Sequence, residues 1–251
     1  MSAEKTDALV IRLADFSESS KVVTLFTRDF GKVAGLAKGA KRLKGAFEAG
    51  LDLLSFCQVV FLRKSSGGLD LLTESRLVRR FQPPGKDLLR LYGGYYAAEL
   101  LDGLTEIHDP HPAVFELANV ILTRLCTEDP RIPILQFELQ LLRELGHLAD
   151  FGACAHCGQP PSTGPDDPRE QIWNPASGVI CTDCRNETDV GGINVTAEFI
   201  HLLQQLADAD AATAPQIEIS PQQFRQLRRL MTSAVSYLLE RRPKMLAYLK
   251  F

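Results

Sequence analysis

Uninterrupted apolar sequence is the first thing this chain has little of. No run approaches the 18 or so apolar residues that a membrane helix needs, so no membrane partner is expected. The opening Met1-Ser-Ala-Glu-Lys-Thr-Asp7 carries acidic residues and lacks the apolar centre of a secretion signal, so a cytoplasmic location is expected. Catalytic signatures are missing too. There is no Gly-x-x-x-x-Gly-Lys-Ser/Thr loop to cradle phosphates, and no Gly-x-Ser-x-Gly turn to present a nucleophile. The histidines, at 108, 111, 147, 156 and 201, form no His-Glu-x-x-His pair, and the helical carboxylates are interspersed with Arg and Lys as on a solvated face. The chain therefore reads as a non-enzyme. A strong charge of one sign is also lacking overall, at −3 in 251 residues, but that total hides an asymmetry. Residues 1–82 hold 14 Lys and Arg against 9 Asp and Glu, whereas the remainder holds 14 against 22. A basic first third beside an acidic remainder points to a polyanion at the N-terminal part.

Cysteine, by contrast, is plentiful and patterned. Cys154-Ala-His-Cys157 and Cys181-Thr-Asp-Cys184 are two Cys-x-x-Cys pairs separated by 23 residues. Two residues between cysteines let both thiolates of a pair face one knuckle, and two knuckles supply the four soft ligands that tetrahedral zinc takes at about 2.3 Å. Disulfides would need an oxidising compartment, and a redox site would need a single Cys-x-x-Cys at a strand–helix junction. The expectation is one structural Zn2+ per chain on Cys154, Cys157, Cys181 and Cys184, with no position open to water. His156 reads as an exposed knuckle residue. The intervening loop has a polar excursion with Pro160, Pro161, Gly164, Pro165 and Pro168, then a tight Asn174-Pro-Ala-Ser-Gly178 turn into Val179. Cys57 and Cys126 lie in apolar sequence and read as buried thiols.

The first third alternates as strands, with runs at 8–13, 21–27, 33–37, 53–63 and 69–81 and turn residues between them. Five short strands without intervening helix predict an OB-fold barrel; an SH3-like barrel and an open meander share the pattern. Pro83-Pro-Gly85 ends it. Helical spacing follows over 87–105, about 112–126 and about 133–146, then after the cysteines over 197–207 and 222–240, with Thr196 and Ser220 as N-caps and Pro221 at N1. Gly93-Gly94 inside the first helix predicts close packing or a bend. The fold class is thus α+β and multidomain: an N-terminal five-stranded OB-fold barrel over 1–82, an all-helical domain over 83–150 and 189–251, and an inserted four-cysteine zinc knuckle over 151–188.

The remaining feature is Gly31-Lys-Val-Ala-Gly-Leu-Ala-Lys-Gly-Ala-Lys-Arg-Leu-Lys44. Lys32, Lys38, Lys41, Arg42 and Lys44 lie along a strand and its following loop, with glycines between that let a backbone approach closely. Such lysines track phosphates without reading bases. Arg76, Arg79 and Arg80 extend the groove, and Phe30 and Phe47, flanking it, are candidates either for base stacking or for the core. A second cluster, Arg225, Arg228, Arg229, Arg241, Arg242 and Lys244, suits a phosphate or an acidic peptide, or merely solvates a face.

The order of these parts, with Phe30-Gly-Lys, Leu36-Ala-Lys-Gly-Ala-Lys-Arg42, the CAHC and CTDC pairs and the closing Arg241-Arg-Pro-Lys-Met-Leu246, resembles the RecO family of bacterial recombination mediators over essentially the whole chain. The four cysteines match its zinc-bearing branch. The resemblance implies an OB-fold that binds single- and double-stranded DNA, annealing of complementary strands, and a nucleoid-associated role in the RecF pathway of repair. It also implies a complex with RecR, docking of the acidic tail of single-strand-binding protein on the helical domain, and loading of RecA as the indirect result. The rival readings are an OB-fold and zinc-ribbon RNA-binding factor, a protein-interaction scaffold, and a hydrolase with convergent carboxylates.

Overall fold

The computed structural model describes residues 2–42, 47, 51–64, 67–85, 87–148, 151–160, 171–185, 187, 191–209 and 216–251. Lys44, Gly45, the 161–168 excursion and residues 210–214 of the Ala/Asp stretch lie outside them.

Five strands close on themselves: β1 (Ala3–Asp15), β2 (Lys21–Thr27), β3 (Gly31–Ala37), β4 (Ser55–Leu62) and β5 (Asp70–Arg80). The order around the barrel is β1-β2-β3-β5-β4, with β1 returning to β4. All pairs are antiparallel except β3 with β5, which gives the Greek-key barrel of the OB-fold. Alternate β-branched and aromatic residues turn inward, and Val10, Val23, Leu25, Val33, Cys57, Val59, Phe61 and Leu72 are buried in one core. β1 extends beyond its apolar run 8–13 at both ends because pairing holds them: Ala3 lies opposite Leu62, and Asp15 opposite Lys21. Bends come from register shifts in β1 between Val10 and Arg12 and in β5 opposite Phe56–Cys57 and Val60–Phe61, the usual device for curling a sheet shut.

β3 meets β5 only from Gly35 to Ala37, so its first half would be an open edge. The chain following the first helix fills it: Lys32 forms a parallel bridge with Ile107, and the His108 N–H donates to the Lys32 carbonyl at 2.9 Å. A Cβ on Gly31 would lie 2.0 Å from the Asp109 carbonyl oxygen, so this glycine (φ +65°) serves packing within the protein.

α1 (Leu88–Leu104) starts at Asp87, whose carboxylate accepts from the Leu89 and Arg90 N–H groups. Its Gly93-Gly94 pair produces close packing and leaves the helix unbroken: a Cβ on Gly94 would sit 2.6 Å from the Phe81 ring and 2.8 Å from Leu54. α2 (Pro112–Arg124) places Phe115 against Phe26 and Phe56 of the barrel wall. A closing 3-10 turn (Lys244–Ala247) hangs on α1, its Lys244 and Met245 N–H groups donating to the Glu99 carboxylate. The barrel, α1, α2 and this turn are one compact unit, residues 1–134 with 243–251.

Residues 135–242 form the second unit. α3 (Arg131–Glu144) enters it, and α5 (Ala197–Asp208) and α6 (Pro221–Leu238) complete its longer helices. Thr196 caps α5, and Ser220 with Gln223 makes a full capping box on α6. The α3 side chains Gln136 and Gln140 both donate to the Ala209 carbonyl just past α5, and Arg143 donates to Ala207. Glu138, fully buried, is paired with Arg228 of α6. Between these helices the cysteine segment builds its own sheet, β7 (Gly178–Ile180), β6 (Gln171–Asn174) and β8 (Ile193–Val195) in that order, with the short α4 (Thr182–Arg185) after β7.

Candidate nucleic-acid interface and metal centre

Because β3 runs parallel to β5, the loop leaving β3 and the C-terminal half of β5 point toward the same end of the barrel. The β1–β2 connection is at that end too, since Asp15 and Lys21 close the hairpin beside Ala37. Lys38, Lys41 and Arg42 stand on the β3 loop and are exposed. Ala40, between them, packs on the barrel core and anchors the loop. Lys41 pins it to the neighbouring hairpin: its N–H donates to Ser19 at 3.1 Å, and its ammonium meets the Ser17 carbonyl and the Asp15 carboxylate, both at 3.0 Å. Arg76 and Arg80 are exposed on β5, where every second residue faces out. Arg76 makes a 3.5 Å contact with Gln58, while Arg80 pairs with Asp52 at 3.3 Å.

Two of the predicted phosphate contacts take a different place. Lys32 is 8% exposed, and its ammonium is bound to the Asp102 carbonyl at the end of α1 with the Asp102 carboxylate at 3.9 Å. It is a packing residue between the barrel and α1, removed from the exposed set because a buried ammonium keeps its partners. Arg79 lies over the Phe56 ring at 4.2 Å and donates to the Asn119 side chain at 2.6 Å. Burial pulls its guanidinium below its ordinary value. Neither phenylalanine named as a stacking candidate is presented to solvent. Phe30 sits edge-on to Phe61 and packs on the barrel core, and Phe47 is buried in it. Among the described residues of the barrel, the exposed aromatic ring is Phe16, 62% exposed in the β1–β2 turn. Its sequence signal is a lone aromatic in the polar run Asp15-Phe-Ser-Glu-Ser-Ser20. In the late basic cluster, Arg228 is committed to Glu138.

The four patterned cysteines converge, all their sulfurs lying within 4.8 Å of one another. Cys157 and Cys181 are 3.9 Å apart, far beyond a disulfide and close to the separation of about 3.8 Å that tetrahedral thiolates at about 2.3 Å from one zinc would have. Local backbone explains the convergence. Gly158 (φ +72°) donates to the Cys154 carbonyl, Cys154 donates to Gln159, and Ala155 donates to Val179 of β7, which ties the first knuckle to the strand feeding the second. The Asn174 side chain accepts from Ala176 and Ser177 and turns the chain into that strand, with Gly178 at φ +91°. Cys181 N–H points at the Cys154 sulfur at 3.3 Å. Burial alone would raise the Cys154 thiol, but N–H donors of Cys157, Cys181 and His156 overcome it and bring it down to about 6. Cys184 moves the other way, raised first by a hydrogen bond with Cys181 and then by burial. Among the described residues this is the one group of three or more His, Cys, Asp or Glu side chains gathered to hold a metal ion. His156 is about half exposed and not among them, as a knuckle residue should be.

A Greek-key barrel with exposed cations on the β3 loop and β5, joined to helices that carry a four-thiol cluster able to hold a metal ion, is the class these features define. Residues 1–81 match the family model described as the N-terminal domain of recombination protein O, and residues 85–247 match that of its C-terminal domain. The chain is 32% identical to the DNA repair protein RecO of Anaeromyxobacter dehalogenans over 243 residues, covering 96% of this chain and 94% of the relative. It is 42% identical to that of Rhodopirellula baltica over 179 residues, 71% of this chain and 66% of the relative. It is 29% identical to that of Symbiobacterium thermophilum over 246 residues, 97% of this chain and 95% of the relative. The chain belongs to the RecO family of DNA repair and recombination proteins. No helix among the described residues is long and apolar enough to cross a membrane.

Proposed function

We propose that this protein is a non-enzymatic recombination mediator that binds single- and double-stranded DNA through its barrel and anneals complementary strands. The observation that carries the reading is the exposed cationic set Lys38, Lys41, Arg42, Arg76 and Arg80 at one end of a closed OB barrel. Lys44, outside the described residues, belongs to the same proposal by sequence. Neutralising phosphates releases counterions and lowers the repulsion between two strands, so annealing needs no bond made or broken and no nucleotide. The division of labour proposed is DNA contact in 1–82, partner docking in 83–150 with 189–251, and a metal module in 151–188. The ion is a structural Zn2+, favoured by a ligand set made of four thiolates. In the cell the partners are RecR and the acidic tail of single-strand-binding protein, with RecA loading as the outcome and the cytoplasmic nucleoid as the place. These follow from the family rather than from any contact seen in this chain.

The test is annealing of two complementary labelled oligonucleotides in a salt series without nucleotide. Acceleration that fades as salt rises supports the mediator. A folded, metal-loaded protein that accelerates nothing overturns it, and preference for RNA over single-stranded DNA in competition would move the assignment to an RNA-binding factor.

A further inference from the structure

The phosphate contacts leave an exposed aromatic ring of the barrel without a role. Phe16 is 62% exposed although burial of a phenyl ring is favourable. Its backbone is nonetheless held. The N–H groups of Phe16 and Ser17 donate to the Ser20 carbonyl at 3.1 and 3.3 Å, and the Ser20 N–H returns to the Ser17 hydroxyl at 3.2 Å. Lys41 then fastens this turn to the basic loop by the three contacts described above. The turn that carries the ring is thus fastened to the loop of Lys38, Lys41 and Arg42, with Lys21 at the base of the hairpin. Acidic neighbours are Asp15, already engaged by Lys41, and the exposed Glu18. The surroundings are Ser17, Glu18, Ser19 and the basic loop rather than a contiguous apolar patch, so an apolar protein surface would find little to cover. An isolated flat ring within a cationic border suits the flat face of a base whose phosphates are already held.

We propose that Phe16 is the stacking platform of the barrel, taking one unpaired base of single-stranded DNA while Lys38, Lys41 and Arg42 hold the flanking phosphates. The assignment rests on the DNA-binding reading above and adds strand discrimination to it. A duplex keeps its bases stacked inside and offers the ring nothing, whereas its phosphates meet the same lysines.

The experiment uses the full-length, metal-loaded chain with a labelled oligothymidylate and a blunt duplex of equal length, each titrated across a salt series. Phe16→Ala should weaken single-strand binding roughly five- to a hundredfold, as loss of one stacked base does, with an unchanged salt slope and unchanged duplex affinity. Phe16→Trp should restore it. Lys38→Ala with Lys41→Ala should weaken both ligands and flatten both slopes. A 2-aminopurine placed in the strand should be quenched by the native protein and not by Phe16→Ala. Wild-type protein that binds neither ligand at low salt would remove the DNA-binding reading itself. Wild-type binding with Phe16→Ala indistinguishable from it, or with an equal loss on strand and duplex, would overturn the stacking role alone. Melting of the exposed-site variant, expected to match wild type, separates an interface loss from a folding loss.

Discussion

At the level of single residues, the same side-chain type serves opposite ends depending on what surrounds it. Lys32 and Lys38 are six positions apart in one basic stretch, yet the first is buried against Asp102 and the second faces water. Sequence cannot tell them apart, because α1 reaches Lys32 from 70 residues away. Lys32→Ala should therefore lower the stability of the first unit by about 1–3 kcal/mol by removing the buried donor to the Asp102 carbonyl, while a DNA salt titration keeps its slope. Lys38→Ala should do the reverse, flattening the slope by up to about one with no shift in denaturant midpoint. Gly31 makes the same point for backbone. Its place among the glycines of the basic stretch suggests close approach of a ligand, but the neighbour is the Asp109 carbonyl. Gly31→Ala should cost upward of about 2 kcal/mol in urea unfolding, since a Cβ there is both strained and overlapping. The buried Glu138–Arg228 pair is a third case, invisible in a pattern that makes Arg228 look like surface charge. Arg228→Met should cost about 3–5 kcal/mol by stranding a buried carboxylate, and pairing it with Glu138→Leu should recover much of that loss. A double variant no better than the single one would show that the pair's attraction, rather than the stranded charge, sets the cost.

Elements are far more legible than side-chain environments, and the reason is local. The five strands and the helices at 88–104, 112–124, 197–208 and 221–238 announce themselves by periodicity, and Thr196 and Ser220 cap where their hydroxyl chemistry says they should. The three-stranded sheet around the cysteines is only half visible. Its turn at Asn174–Gly178 has a signature, but β6 and β8 have four and three residues and pair only through tertiary contact. Within that element the four thiols are not equivalent before a metal arrives. Cys154 has its pKa brought down from 9.0 to about 6 by N–H donors, whereas Cys184 is raised. A folded pKa below the unfolded one contributes stability that is fully present above pH 9.0 and is lost as pH falls through about 6. Ultraviolet thiolate absorbance of the metal-free chain should accordingly show one early step near pH 6, and Cys154→Ser should abolish it. An ion held there would compete with protons for all four sulfurs, so acidification should also release it.

On the scale of the whole molecule, the cationic barrel end lies in the unit of residues 1–134 with 243–251, and the thiol centre lies in residues 135–242. Each has its own core and its own hydrogen bonding, and the phosphate contacts proposed draw nothing from the cysteine segment. Stability and DNA affinity should therefore respond separately when the metal is withdrawn. A structural four-thiolate ion adds folding free energy to the residues that enclose it. A chelator, or Cys157→Ser, should lower the melting transition of the second unit and expose its helices to protease, with cuts confined to 135–242. The affinity of the barrel for a short single strand, and the slope of that affinity with salt, should stay as in the loaded protein, because the slope counts phosphates neutralised and those cations are elsewhere. Annealing in the presence of a partner that docks on the helices should fall while annealing by the protein alone persists. Loss of strand binding in step with metal would show instead that the two units act as one cooperative body, and the proposed separation of DNA contact from the metal module would fail.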